Sequence, residues 1–291
     1  MSLEIENTIN EVYMDPFTDY GFKKLFGEED SKEYLIDFLN SVFADFIPNI
    51  KELSYHKNEH LGNKQIDRNV VFDLYCKGQD GSKFIIELQK VKQDYFKQRS
   101  LFYSTFAITE QAPKGKWDFK LSPVYCIGIL NFNLDDNQNK CITKAKILDI
   151  ETHDTVIEEL NFAFIECQIF NKNITKKSSR QDKWLYILNH LSKLQCMPKE
   201  LSEKLFEDFF TKANILKLSS KERSKYNASI TYYRDLHNIE AQNFVKGRAE
   251  GRVEGKIEGK IEVAKTMKKE GIEIPVISKL TGLTINEINK I

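Results

Sequence analysis

The order of hydrophobic patterns along the 291 residues predicts a mixed α/β sandwich that is not doubly wound. Three observations carry this. Apolar residues recur at helical spacing over residues 17–46 and give way to three strand-like runs. The second and third runs are joined by Gln79-Asp80-Gly81-Ser82, turn chemistry too short for a crossover. A second helical stretch, Gln93 to Gln111, is then followed by Ser122 to Phe132, which is apolar on both faces.

In the first segment Phe22, Leu25 and Phe26, then Tyr34, Leu35, Phe38, Leu39 and Val42, mark two helices. Gly27 breaks them, Ser31 can cap the second, and Pro48 lies beyond its end. Ile50 to Leu61 reads as a first strand, Asn69 to Lys77 as a second and Lys83 to Gln89 as a third. In the Gln93–Gln111 helix, Phe96, Leu101, Phe102, Thr105, Phe106 and Ile108 are expected to face inward. Ser122–Phe132 should be a buried central strand. Cys141–Ile150 and Leu160–Phe170 bracket a turn at Thr152-His153-Asp154, an added hairpin. From Arg180 to Asn238 the pattern is helical again, with Trp184, Leu185, Ile187 and Leu188, then Leu201, Leu205, Phe206, Phe209 and Phe210.

Composition excludes several classes. Hydrophobic residues are 41% and aromatics 12%, enough for a sizeable core, so global disorder is excluded. With 43 basic and 43 acidic residues the chain is no uniformly basic nucleic-acid binder; any such site must come from local charge. The N-terminus has neither the basic nor the apolar region of a signal peptide, and the longest mostly apolar run, Val124 to Phe132, cannot span a bilayer. Cys76, Cys126, Cys141, Cys167 and Cys196 are scattered, without a Cys-x-x-Cys pair, which suits a reduced, cytoplasmic protein. His56 and His60 have no further ligand nearby in sequence, and there is no P-loop.

The chemistry centres on Asp73, in Val70-Val71-Phe72-Asp73-Leu74-Tyr75-Cys76, and on Glu87 and Gln89, in Phe84-Ile85-Ile86-Glu87-Leu88-Gln89. Alternation puts Glu87 and Gln89 on the face of Ile85, and Asp73 on that of Val71 and Tyr75. If the hairpin closes through Gln79-Asp80-Gly81, with Gly81 left-handed, Lys77 pairs with Lys83 and Asp73 falls opposite Glu87. Their Cβ atoms would be roughly 4.5–5.5 Å apart. Carboxylates that close repel unless a proton or cation lies between them, and a hard cation such as Mg²⁺ is the natural resolution. A two-residue loop at Asp80-Gly81 would instead set Asp73 opposite Leu88 and split the pair. The other reading is that each acid faces solvent from a half-exposed strand.

These residues resemble a family. Asp73 followed at hairpin distance by Glu87-Leu88-Gln89 is similar to the PD-(D/E)XK nuclease signature, in the variant where Gln replaces the Lys. Asp19-Tyr20-Gly21-Phe22-Lys23-Lys24-Leu25-Phe26-Gly27 is similar to the opening D-x-x-F-K-x-L-F-G motif of the Rpn (recombination-promoting nuclease, transposase) family. Phe38-Leu39-Asn40, Arg99-x-x-x-Tyr103-Ser104, the Glu-Gly repeats of the tail and Leu280-Thr281-Gly282-Leu283-Thr284 also match that pattern. The resemblance implies a restriction-endonuclease-like core of helix, three antiparallel strands, helix and strand, with an added helical region and a helical tail. It implies Mg²⁺- (or Mn²⁺-) dependent DNA endonuclease activity. Asp73 and Glu87 would hold the metal and Gln89 would replace the lysine that orients the attacking water. Gln supplies no positive charge; Lys23 is a candidate substitute. Asp19 is a candidate third acid or, alternatively, a helix N-cap.

DNA would be held by Lys90, Lys92, Lys97 and Arg99, with Lys172, Lys176, Lys177, Arg180 and Lys183 as a second cluster, or these are solvated surface. The expected organisation is a nuclease-like domain over 1–170, a helical extension over 171–240 and a tail over 241–291. The tail repeats every four residues from Gly247 to Glu262, giving Gly, basic, apolar and acidic stripes on a helix. Like charges then stack at i,i+4, and four glycines weaken the helix. The tail is either a homo-oligomerising element that relieves these costs or a charged linker. Thr284 and Glu287 are spaced as a capping box in a short helix-turn-helix-like end. The alternative to an active enzyme is a catalytically weak or inactive DNA-binding or oligomerising protein that keeps the fold.

Overall fold

A computed structural model describes residues 11–56, 59–60, 70–113, 115–134 and 140–291. The chain divides into two compact units, Met1–Tyr233 and Arg234–Ile291.

The first unit opens with α1 (Asp19–Phe26) and α2 (Lys32–Val42). Thr18, not Asp19, caps α1: its hydroxyl accepts the Gly21 N–H at 3.0 Å, and Asp19 occupies the first turn, where an acid favours the helix dipole. Ser31 precedes α2, but its hydroxyl donates to the Lys24 carbonyl (2.9 Å) instead of capping. The buried stripes, Phe22, Leu25, Phe26 and Tyr34, Leu35, Phe38, Leu39, Val42, are those that the spacing predicts.

The strands are β1 (Leu53–Tyr55), β2 (Glu59–His60), β3 (Val70–Val71), β4 (Leu74–Gly78), β5 (Lys83–Gln89), β6 (Val124–Leu130), β7 (Ile142–Leu148) and β8 (Thr155–Glu166). Six form one sheet in the order β1-β4-β5-β6-β8-β7. β1, β4 and β5 are antiparallel neighbours, β6 joins β5 in parallel, and β8 joins β6 in parallel. The β5–β6 connection is α3 (Phe96–Thr109), which gives the expected helix, three antiparallel strands, helix and strand. β6 is buried throughout its length and central, and β7 with β8 forms the expected hairpin. Two expected strands are interrupted. The first yields β1 and β2, with Leu61 outside the described residues. The second is broken at Phe72-Asp73, so that β3 pairs with β2 in a separate ribbon.

Each face of the sheet has its own core. On one, Leu74, Cys76, Phe84, Ile86, Leu88 and Ile127 pack with α1 and α2 and with α4 (Arg180–His190) and α5 (Lys204–Ala213) of the extension. Trp184, fully buried, keys the extension in place. Its ring lies 5.1–5.9 Å from those of Phe26, Phe38, Phe206 and Phe209, and its Nε1–H donates to Asp37 at 2.6 Å. On the other face Phe72, Tyr75, Ile85, Val124 and Cys126 meet α3.

α3 presents only part of the side expected. Phe96 is buried and Phe106 and Ile108 pack half-buried on the core, but Thr105 is exposed, Leu101 and Phe102 are 50% and 45% exposed, and Ser100, Ser104 and Ala107 are buried in their place. The reason is close approach. Gly128 of β6 lies under α3, and a Cβ there would stand 2.7 Å from the Phe96 ring, so small residues face the sheet.

A long helix, α6 (Ser220–Lys269), begins in the first unit and ends in the second. In the second, α7 (Ile274–Thr281) and α8 (Ile285–Lys290) enclose a small core of Ala264, Ile277, Leu283 and Ile288. Gly282, at φ +71, ends α7, and Thr284 and Glu287 form the expected capping box. Residues Gly247–Glu262 lie within α6 as helix. Among the described residues no helix is long and apolar enough to cross a membrane.

Candidate active site

The hairpin decides where the acids meet. Gly81 adopts φ +91, the Gly78 N–H donates to the Ser82 carbonyl at 2.9 Å, and Asp80 accepts the Ser82 N–H at 3.0 Å. The register that follows pairs Lys77 with Lys83 and Leu74 with Ile86. One step further brings Asp73 across from Glu87, which is the register of the three-residue loop. Asp73 does not sit mid-strand as its apolar flanks suggest, however. It occupies the bend between β3 and β4, where ladder hydrogen bonding stops, and its carboxylate supplies the missing acceptor. Oδ2 takes the Leu88 N–H at 2.7 Å, while the Asp73 N–H approaches Glu87 Oε1 at 3.4 Å.

Glu87 is buried and Asp73 half-buried, and withdrawal from water is the main reason that both resist ionisation. Asp73 is pushed up to about 6, against the Leu88 N–H and the charges of Lys23 and Arg99 and with the help of Asp19. Glu87 is raised well above the ordinary carboxylate range by burial and then by the charge of Asp73, with Arg99 opposing. The pair stores a repulsion that a proton or a cation would remove.

Gln89 shares this face and is held at both ends: Nε2 donates to the Val91 carbonyl (3.1 Å) and Oε1 accepts from Arg99 Nη2 (2.5 Å). Lys23 is half-exposed and pairs with Asp19 at 2.6 Å, so the first-helix acid and base offset one another. Among the described residues no group of three or more His, Cys, Asp or Glu side chains could hold a metal ion. Asp73 and Glu87 offer two carboxylates side by side, a donor set that would suit a small divalent cation keeping most of its waters, and such an ion would relieve their mutual repulsion.

The basic residues separate into two kinds. Lys90 pairs with Asp15 (2.6 Å) and Arg180 with Asp37 (2.8 Å), Lys172 pairs with Asp182 (3.0 Å), and Lys183 is buried against Glu203. Those charges are committed to acids of the fold. Lys92, Lys97, Lys176 and Lys177 are exposed.

Two tyrosines near the pair were given no role by the sequence. Tyr103, which entered only through the Arg99-x-x-x-Tyr103-Ser104 pattern, has its phenol raised by burial and then by the charges of Glu87 and Asp73, with Arg99 opposing. Tyr233 comes from α6 and lies beneath the Lys90 ammonium (5.2 Å to the ring centroid), with burial and then Asp73 raising its phenol. Nothing in its local sequence marks it.

No curated protein and no solved structure matches the chain. A family model described as PD-(D/E)XK nuclease family transposase matches residues 16–242, from before α1 into α6, and the chain therefore belongs to that family.

Proposed function

We propose that this protein is a metal-dependent DNA endonuclease that adds water across a phosphodiester bond, giving a phosphomonoester and a free hydroxyl. The observation that carries the reading is the opposed pair of carboxylates, Glu87 buried and Asp73 half-buried, on a family-matched scaffold. A divalent ion, Mg²⁺ or Mn²⁺, would be held by these two side chains and would lower the pKa of a water while neutralising charge on the phosphoryl oxygens. The chain's own residues bind and orient. The Leu88 N–H fixes the Asp73 carboxylate, and α3 packs on the sheet face that carries Glu87 and Gln89. Lys92, Lys97, Lys176 and Lys177 would meet DNA phosphates, each adding to the salt sensitivity of binding. Supercoiled plasmid incubated with the protein should be nicked or linearised with Mg²⁺ and left intact with EDTA. Intact plasmid in both would leave the second reading, a weak or inactive DNA-binding relative, which Gln89 in the lysine position favours.

We further infer a homo-oligomer through the tail, in a protein whose free cysteines suit the cytoplasm. In α6 the basic stripe Arg248, Arg252, Lys256 and the acidic stripe Glu250, Glu254, Glu258 flank the apolar stripe on either side, and Val253 and Ile257 are 60% and 48% exposed. A second copy could set unlike stripes together and cover the apolar one. Reversing the three Glu to Lys should convert a sedimenting oligomer to monomer, and mixing with a variant whose three bases are Glu should restore it. A monomeric unmodified protein at micromolar concentration would refute the interface.

A further inference from the structure

Position 89 leaves a chemical gap. A lysine there would place a positive charge beside the scissile phosphate, whereas the Gln89 amide is neutral. The sequence offers Lys23 as the replacement, but Lys23 is half-exposed and its charge is taken up by Asp19 at 2.6 Å.

Arg99 is better placed. It lies in the first turns of α3, on the face turned to the sheet, with its guanidinium centred 5.0 Å from the Phe96 ring and 5.8 Å from the Tyr103 ring. Two neutral amides hold it: Nη2 donates to Gln89 Oε1 at 2.5 Å, and Nη1 donates to Gln93 Oε1. Its Nε–H is buried without a hydrogen-bond partner. A guanidinium fixed by aromatic rings and amides, with a donor left over, is arranged to offer charge to something not yet there. Surface arginines that serve only the fold resemble Arg180 instead, which bonds the carboxylate of Asp37.

We propose that Arg99 supplies the positive charge that the family's lysine would bring, and that Gln89 is a positioning residue that holds its guanidinium beside Asp73 and Glu87. This rests on the nuclease reading above. An arginine stays protonated throughout, so Arg99 takes no proton from the attacking water. It neutralises charge on the phosphoryl oxygens as the water oxygen bonds to phosphorus and the bond to the leaving sugar oxygen breaks. Gln89 thereby exchanges the role of charge carrier for that of a bracket, and the cation reaches the site from α3 instead of β5.

The test compares the wild type with Arg99→Gln, Arg99→Lys and the double variant Arg99→Gln/Gln89→Lys. Each is measured for plasmid cleavage with Mg²⁺, for duplex affinity with Ca²⁺ in place of Mg²⁺, and for melting temperature. Arg99→Gln should lower the cleavage rate by about 10²–10³-fold, the scale of losing one charge-stabilising donor. Duplex affinity should change by less than about threefold, because one phosphate contact among many is not what Arg99 provides. Arg99→Lys should keep part of the rate. The double variant, which returns the charge to position 89, should recover at least about tenfold over Arg99→Gln. A folded Arg99→Gln protein that cleaves at the wild-type rate overturns the proposal. So does a rate loss matched by an equal loss of duplex affinity, which would make Arg99 a DNA-binding residue. If Arg99→Gln does not fold, failure of the folded double variant to exceed Arg99→Lys overturns it. A wild type inert with Mg²⁺ overturns the nuclease reading and this proposal together, whereas an active wild type with insensitive Arg99 variants overturns this proposal alone.

Discussion

Replacing Asp73 with Asn is expected to lower Mg²⁺-dependent cleavage by about 10²–10³-fold, because metal-borne charge stabilisation is worth several kcal/mol and each 1.36 kcal/mol is a factor of ten. Asn is the informative substitution. Asp73 Oδ2 accepts the Leu88 N–H at 2.7 Å, and an amide oxygen can keep that bond. Asp73→Ala would leave the N–H unpaired at a cost of about 1–3 kcal/mol, mixing loss of fold with loss of metal. Without metal, the same Asn substitution should stabilise the protein at alkaline pH. Asp73 titrates at about 6 in the folded state against 3.8 ordinarily, and Glu87 also titrates above its ordinary value. Over that window the native state binds more protons than the unfolded one, so stability falls as pH rises from about 4 and levels off above the folded values. About two units for Asp73 correspond to a loss of order 3 kcal/mol. Thermal melting of metal-free protein at pH 5 and pH 8 should show the wild type less stable at pH 8, and Asp73→Asn flatter, the slope that remains being that of Glu87, whose burial persists. A wild type whose melting temperature rises over that range would contradict a repelling pair.

Gly128→Val is expected to disable the proposed cleavage from outside the site. Gly128 pairs with Glu87 across β5 and β6, and its missing Cβ makes room for α3. An added Cβ would stand 2.7 and 2.9 Å from two Phe96 ring atoms and 3.0 Å from Phe164. Both rings are buried and cannot swing clear. Overpacking of this kind costs about 1–3 kcal/mol, and about 2–4 °C of melting temperature per kcal/mol follows for a unit of this size. Because Arg99 is one turn along α3 from Phe96, lifting the helix also displaces the guanidinium. Cleavage should therefore fall by more than the melting shift explains. A Gly128→Val protein that melts and cleaves like the wild type would show that α3 does not rest on Gly128.

How far the sequence spoke depended on whether a pattern was local. The left-handed demand at Gly81 and the alternation of β5 are local, and they narrowed the hairpin to two registers, of which the Lys77–Lys83 pairing is the one that puts Glu87 across from Asp73. The apolar stripes of α1 and α2 were legible for the same reason. The face of α3 was legible only in part. Phe96 faces inward as the spacing predicts, but Leu101 and Phe102 point outward because the sheet needs closeness from Ser100, Ser104 and Ala107, and that need arises at Gly128 in another element. The bend at Asp73 was hidden by uninterrupted apolar flanks. Basic clusters were equally opaque: nothing near Lys90 or Arg180 in sequence announces Asp15 or Asp37 as the partner. Tyr233 reaches the site from α6, which no spacing argument connects to β4.

The central claim is that Asp73 and Glu87 form one divalent-cation site. Calorimetric titration of Mg²⁺ into metal-free protein at pH 8 tests it most directly, with Asp73→Asn and Glu87→Gln titrated alongside. The account predicts saturable binding by the wild type and its loss in either variant, with both variants folded. Binding that is absent from the wild type, or that survives unchanged in both variants, would contradict it.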